Sequence, residues 1–124
     1  TILPYTPLFR STLKKEDCIF DISPLYIDAI KKTFKEAKTI IWNGPMGFFE
    51  EDKFSLGTKA LAELISESEA YSVIGGGDTI AAAAQAEVLD SINYVSTAGG
   101  AFLNYLEGKP LPALLALEEK ALES

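Results

Sequence analysis

Three glycine-bearing segments hold the residue types that could do chemistry in this chain. The first is Ile74-Gly75-Gly76-Gly77-Asp78-Thr79, where an apolar run ends in three glycines and passes at once into an acid and an alanine-rich tract. Without side chains at Gly75, Gly76 and Gly77, the backbone can take positive φ and bring its N–H groups close to an anion, and a helix starting there adds its positive dipole end. Phosphate suits such a turn. Asp78 would repel a bare phosphate, so it fits either a divalent cation placed between the two or a plain capping role at the helix start. The second segment, Thr97-Ala98-Gly99-Gly100, reads as another anion cradle at a helix start, or as a short turn between strand and helix. In the third, Asn43-Gly44-Pro45-Met46-Gly47-Phe48-Phe49-Glu50, Asn43 offers an amide donor and acceptor and Pro45 a flat apolar surface against a nucleotide. Glu50 could accept both hydroxyls of a ribose. The same residues are compatible with an ordinary turn and with a surface acid in the run Glu50-Glu51-Asp52.

Composition narrows what this chemistry can be. The chain has no histidine, which removes His-based triads, zinc sites and imidazole bases, and the single Cys18 cannot close an intrachain disulfide. Cys18 is read as a small buried apolar side chain rather than a nucleophile. Catalysis would then rest on positioning, backbone dipoles, carboxylates or a metal ion. Eighteen acids against eleven bases give a net charge of −7, and basic residues form no run longer than the pairs Lys14-Lys15 and Lys31-Lys32, so nucleic acid is not an expected partner. The 124 residues, 48% of them apolar, suffice for one globular domain with a buried core. No run of about eighteen apolar residues is present, and the start Thr1-Ile2-Leu3-Pro4 lacks a signal-peptide lead. We expect a soluble, cytoplasmic chain with no membrane partner. A start without methionine also fits a chain processed or cut from something longer.

Alternating strands and helices must position these segments. Residues 1–7 are apolar but proline-punctuated, and Cys18-Ile19-Phe20-Asp21-Ile22 reads as a short strand. Ser23 and Pro24 supply an N-cap and a first-turn proline for a helix reaching about residue 38, with Ile27, Ile30, Phe34 and Ala37 on one face. Strands are expected at 39–42, 71–74 and 92–96, and helices at 56–68, 78–89 and 101–107. Small residues at Ala81, Ala82, Ala83 and Ala84 would let the second of these helices lie close to a sheet. Trp42, Phe48 and Phe49 read as core or pocket wall. Gly108 stops the third helix, and Pro110 and Pro112 lead into a final one over about 111–122, carrying Leu114, Leu115, Leu117, Ala121 and Leu122. Each glycine-bearing segment then falls between a strand and the next helix. In a parallel sheet with helical crossovers such loops gather at the carboxyl edge of the strands, where open α/β sheets bind ligands. Glu50, Asp78 and Gly99 should therefore share one rim.

The segments Ile41-Trp42-Asn43-Gly44-Pro45-Met46-Gly47-Phe48-Phe49-Glu50, Ile74-Gly75-Gly76-Gly77-Asp78-Thr79 and Val95-Ser96-Thr97-Ala98-Gly99-Gly100-Ala101, with Leu106-Glu107-Gly108-Lys109-Pro110-Leu111-Pro112, closely resemble in order and spacing the carboxyl-terminal part of phosphoglycerate kinases. The likeness is strong from about residue 20 onward. It implies an α/β, three-layer, Rossmann-like fold with a mostly parallel sheet, incomplete here. Residues 1–124 would be part of the nucleotide-binding domain of a two-domain kinase, with the last helix packing outside the domain body. The resemblance also implies Mg²⁺-dependent phosphoryl transfer between ATP and 3-phosphoglycerate, a glycolytic step. By it, Glu50 holds the nucleotide ribose, Asn43 and Pro45 line the nucleotide pocket, and Gly76, Gly77, Asp78 and Thr79 form the phosphate loop, with Asp78 helping to hold Mg²⁺ on ATP or ADP. Gly99 and Gly100 belong to the loop whose helix start faces the transferring phosphoryl group.

Some positions depart from the family. Ala98 stands where its last loop usually has glycine, and Ile19 and Ser23 stand where glycines are usual in its Gly-Leu-Asp-x-Gly-Pro pattern, on the adenine side. The amino-terminal domain that carries the basic cluster for 3-phosphoglycerate has no counterpart here. The expected chain therefore supplies part of a nucleotide site without turning over alone, and exposed leucines on its last helix favour self-association. A nucleotide-binding module that senses without catalysing, and an interaction domain on an α/β scaffold, are the other two readings.

Overall fold

Three short β-prone runs pair as a wholly parallel sheet in the order β1-β2-β3, with β1 at Thr39–Asn43, β2 at Tyr71–Gly75 and β3 at Tyr94–Ser96. The structure, a computed structural model, describes residues 14–123, and the proline-punctuated start over 1–7 lies outside them. Helix α1 (Pro24–Glu36) precedes β1, α2 (Leu56–Ser66) joins β1 to β2, and α3 (Gly77–Gln85) joins β2 to β3. Helices α4 (Gly100–Leu106) and α5 (Pro112–Leu122) follow, and short 3-10 turns occupy Asp52–Phe54 and Leu89–Ser91. The expected α/β alternation is present, as an incomplete Rossmann-like fragment.

Side-chain alternation along the strands sorts the sheet into two unlike faces. Ile40 and Trp42 of β1 and Ile74 of β2 are buried against Leu61, Ala62 and Ile65 of α2 and Ala82 and Ala83 of α3, and Ile27 of α1 joins the same core. Successive right-handed crossovers in a sheet that grows in one direction put their helices on one face, which is why α2 and α3 lie together. At the start of α1, Ser23 Oγ accepts the Leu25 N–H at 3.3 Å and Pro24 occupies the first turn. The opposite face carries Ile41, Tyr71 and Tyr94, each about half exposed at 50%, 54% and 53%, and no charged residue. Helix α4 touches the top of that face through Phe102, whose ring lies where a side chain at Gly75 would stand. Helix α5 has no buried residue, and Leu114, Leu115, Leu117 and Leu122 are exposed. Among the described residues no helix is long and apolar enough to cross a membrane.

Two expectations near the amino terminus are overturned. Residues 18–22 form no strand. Phe20 packs instead on a loop: it stacks on Phe54 at 4.9 Å and meets Phe48 at 6.2 Å between ring centroids, while Phe20 O accepts the Phe48 N–H at 2.7 Å. Lying outside the sheet, Cys18 is exposed rather than buried.

Strand β3 begins two residues later than its apolar pattern suggests, because Asn93 uses its side chain where a ladder bond would stand. Asn93 Oδ1 accepts from Ser72 N–H at 2.7 Å and from Ser72 Oγ at 2.9 Å, and Asn93 N–H donates to Ser72 Oγ at 3.1 Å. Asn93→Ala removes the acceptor for two groups of the buried Ser72 and should cost about 1 kcal/mol, softened by water at the exposed Asn93 position. Urea denaturation followed by circular dichroism measures this, and Asn93→Asp, which keeps the acceptor, should lose less.

Candidate functional site

The register of the sheet brings the three glycine-bearing segments to one edge. Asn43 pairs with Gly75, and Gly75 with Ser96, so the last residues of all three strands stand in a single row. Every segment leaves the sheet from that row. Side chains then tie segment 43–50 to segment 74–79. Asn43 Nδ2 donates to Gly75 O at 2.8 Å, and the buried Thr79 accepts the Gly44 N–H on its hydroxyl at 2.6 Å. Thr79 is thus engaged in holding the loop. Trp42 Nε1 donates to Gly44 O at 2.8 Å, and the buried Thr58 of α2 accepts the Met46 and Gly47 N–H groups at 3.1 and 3.2 Å.

In segment 74–79 Gly76 is the N-cap of α3, with φ of 91° and no side-chain cap bond. That φ favours glycine. Helix α3 therefore begins at Gly77, and the capping alternative for Asp78 does not hold: Asp78 sits inside the first turn with its side chain exposed. A carboxylate there is stabilised by the helix dipole. A Cβ built on Gly77 would meet nothing within 4 Å, so the helix start opens outward, and its first-turn N–H groups have no intrahelical acceptor. Segment 97–100 repeats the arrangement. Gly99, with φ of 54°, caps α4 and Gly100 begins it, and neither has anything within 4 Å of a built Cβ. Ala98, where the resemblance leads one to expect glycine, is exposed.

The remaining sequence candidates are placed less tightly. Pro45 lines, with Met46, Gly47, Phe48 and residues 19–22, a shallow cleft of about 240 Å³ beside the rim. Phe49 and Trp42 are core, whereas Phe48 is nearly half exposed and forms part of the cleft wall. Glu50 is exposed at the end of its loop and is not brought into hydrogen-bond contact with Asn43, Thr79 or Gly99. As for a metal, the described residues contain no group of three or more acids or cysteines close enough to enclose one. Asp78 is a single carboxylate beside an open helix start, a donor set that fits Mg²⁺, which commonly takes one or two carboxylates and completes its shell with phosphate oxygens and water.

One residue at this edge escaped sequence reasoning. Asp21 Oδ2 accepts the Gly57 N–H at 2.9 Å in the first turn of α2, where Ser55 makes no side-chain cap bond, and Oδ1 accepts the Ile22 N–H at 2.8 Å. Thirty-six positions separate Asp21 from Gly57, so no local pattern announces the contact.

The description phosphoglycerate kinase belongs to the family model that matches residues 8–109. In fold the chain is similar to the phosphoglycerate kinase of Coxiella burnetii, with 50% sequence identity and a TM-score of 0.77 over 83% of this chain and 27% of that one. It is also similar to the phosphoglycerate kinase of Pyrococcus horikoshii OT3, with 39% identity and a TM-score of 0.71 over 82% of this chain and 25% of that one. This chain therefore spans about a quarter of the length of each of these two relatives. With the family model matching most of the sequence and the strand-edge loops arranged as described, the chain belongs to the phosphoglycerate kinase family.

Proposed function

We propose that this chain supplies part of the nucleotide site of a kinase that transfers a phosphoryl group between ATP and 3-phosphoglycerate, the glycolytic reaction of its family. The observation that carries this reading is the row Asn43, Gly75, Ser96, from which three loops leave one edge with two open helix starts among them. In this reading the first-turn N–H groups of α3 bind the nucleotide's phosphates, and those of α4 face the phosphoryl group in transfer. Asp78 is the residue that would hold Mg²⁺ against those phosphates; when bound, the ion neutralises their charge. Pro45 and the cleft beside it take the base, and Glu50 takes the ribose. Phosphoryl transfer needs little covalent help and is accelerated by alignment and fixed charge, which is what a chain without histidine can offer.

Recognition of 3-phosphoglycerate falls to the part of the enzyme beyond the quarter matched here, so the isolated chain is expected to bind nucleotide without turnover. A soluble, cytoplasmic setting goes with this reading. So does self-association through α5, whose Leu117 and Leu122 are exposed at 67% and 89%.

Calorimetric titration should detect Mg-ADP binding, and Asp78→Ala should weaken it at least about tenfold, about 1.4 kcal/mol, while leaving the metal-free ADP affinity nearly unchanged. Equal losses with and without Mg²⁺ would remove Asp78 from the metal role. A coupled assay that detects phosphorylation of 3-phosphoglycerate by the chain alone would overturn its inactivity. For self-association, light scattering should give a mass that rises with concentration and returns to the monomer value in Leu117→Lys. A monomer mass at every concentration would contradict it.

A further inference from the structure

We propose that Asp21 is a positioning residue for the nucleotide site, acting as a buckle that fixes the Asn43 to Glu50 loop against the first turn of α2. Its carboxylate is wedged between two glycines. A Cβ built on Gly47 or on Gly57 would collide with Asp21 Oδ1, so the loop and the helix both approach the same carboxylate at backbone distance. On the helix side, Asp21 Oδ2 accepts the Gly57 N–H, and the negative charge lies at the positive end of α2. On the loop side, the neighbouring Phe20 O accepts the Phe48 N–H at 2.7 Å, and the Phe20 ring packs on Phe48 and Phe54. Thr58, one residue past Gly57, holds the Met46 and Gly47 N–H groups from the same helix turn.

Segment 20–22, the loop and the start of α2 are therefore one interlocked unit, while Asn43 and Thr79 fasten the loop's other end to the glycine turn before α3. A loop held at one end only could swing, and Pro45 and the Phe48 wall of the cleft would lose their fixed distance from Asp78. The bonds Asp21 makes to Gly57 and Ile22 are to groups other than those proposed to meet the nucleotide's phosphates, so its effect is proposed to reach the ligand through the loop. The affinity part of this inference rests on the nucleotide reading above; the buckle itself does not.

The test uses the whole chain, labelled with nitrogen-15, and its Asp21→Ala and Asp21→Asn variants. In Asp21→Ala, amide hydrogen exchange at Phe48 and Gly57 should speed up at least about tenfold while Val73 and Ile74 in β2 keep their rates. The Mg-ADP affinity should fall at least about tenfold, and Asp21→Asn, which retains an acceptor oxygen, should recover much of both losses. The resonance of the single tryptophan's Nε1–H, bonded to Gly44 O, should shift in Asp21→Ala and return towards its original position in Asp21→Asn. Uniformly faster exchange across the sheet would reduce Asp21 to a general stabiliser and overturn the proposal, as would unchanged exchange at Phe48. Absence of Mg-ADP binding by the unmodified chain would sink the nucleotide reading alone, and the exchange pattern would still decide for or against the buckle.

Discussion

Parallel register is the constraint on which the rest of this structure depends. Because β1, β2 and β3 run the same way and end level at Asn43, Gly75 and Ser96, three loops separated by many residues must all leave from one edge. Parallel strands need crossover connections, and here each crossover is a helix whose start faces that edge. The start of α3, one of those crossovers, and the start of α4, which follows β3, therefore both lie at this edge. In the proposed nucleotide site of a chain of net charge −7, the attraction for an anion would come from oriented N–H groups close at hand, while the distant acids are screened by solvent and salt.

Holding those loops takes more than the sheet. Asn43 to Gly75, Thr79 to Gly44, Thr58 to Met46 and Gly47, and Asp21 to Gly57 are hydrogen bonds between side chain and backbone; the first adds to the end of the β1–β2 ladder, and the others join segments that no ladder pairs. Backbone N–H groups withdrawn from water must find acceptors, and Thr79, Thr58 and Asp21 provide them, while Asn43 donates to a carbonyl. Among the described residues no buried side-chain polar atom lacks a partner. The opposite economy appears on the uncovered sheet face, where Ile41, Tyr71 and Tyr94 remain half exposed although parallel sheets are ordinarily covered on both sides.

Much of this was legible from sequence, for physical reasons that differ by element. Helix α1 was visible because Ser23, Pro24 and the spacing of Ile27, Ile30 and Phe34 are local signals. The strands β1 and β2 were visible as short apolar runs between glycine-bearing loops. The loops' shared edge followed from topology alone. What failed was whatever depended on a distant partner. Cys18 to Ile22 has a strand's composition, yet its neighbours turned out to be the Phe48 and Phe54 rings. Asp21 was one residue of that expected strand, and its contact appears only when Gly57 is brought beside it. Asp78 could be read from sequence as the helix cap, and that reading falls because the helix starts one residue earlier, at Gly77.

In the proposed reading, one strand edge with its three loops forms the nucleotide-binding part of the molecule. The most direct measurement is a titration of Mg-ADP into the nitrogen-15 labelled chain, repeated with Mn²⁺ in place of Mg²⁺. The account predicts amide shifts concentrated at Gly44, Gly76, Gly77, Asp78 and Gly99, and paramagnetic broadening strongest around Asp78. Shifts scattered over the helical face of α1 and α2, or broadening centred on the acidic run Glu50-Glu51-Asp52, would contradict it.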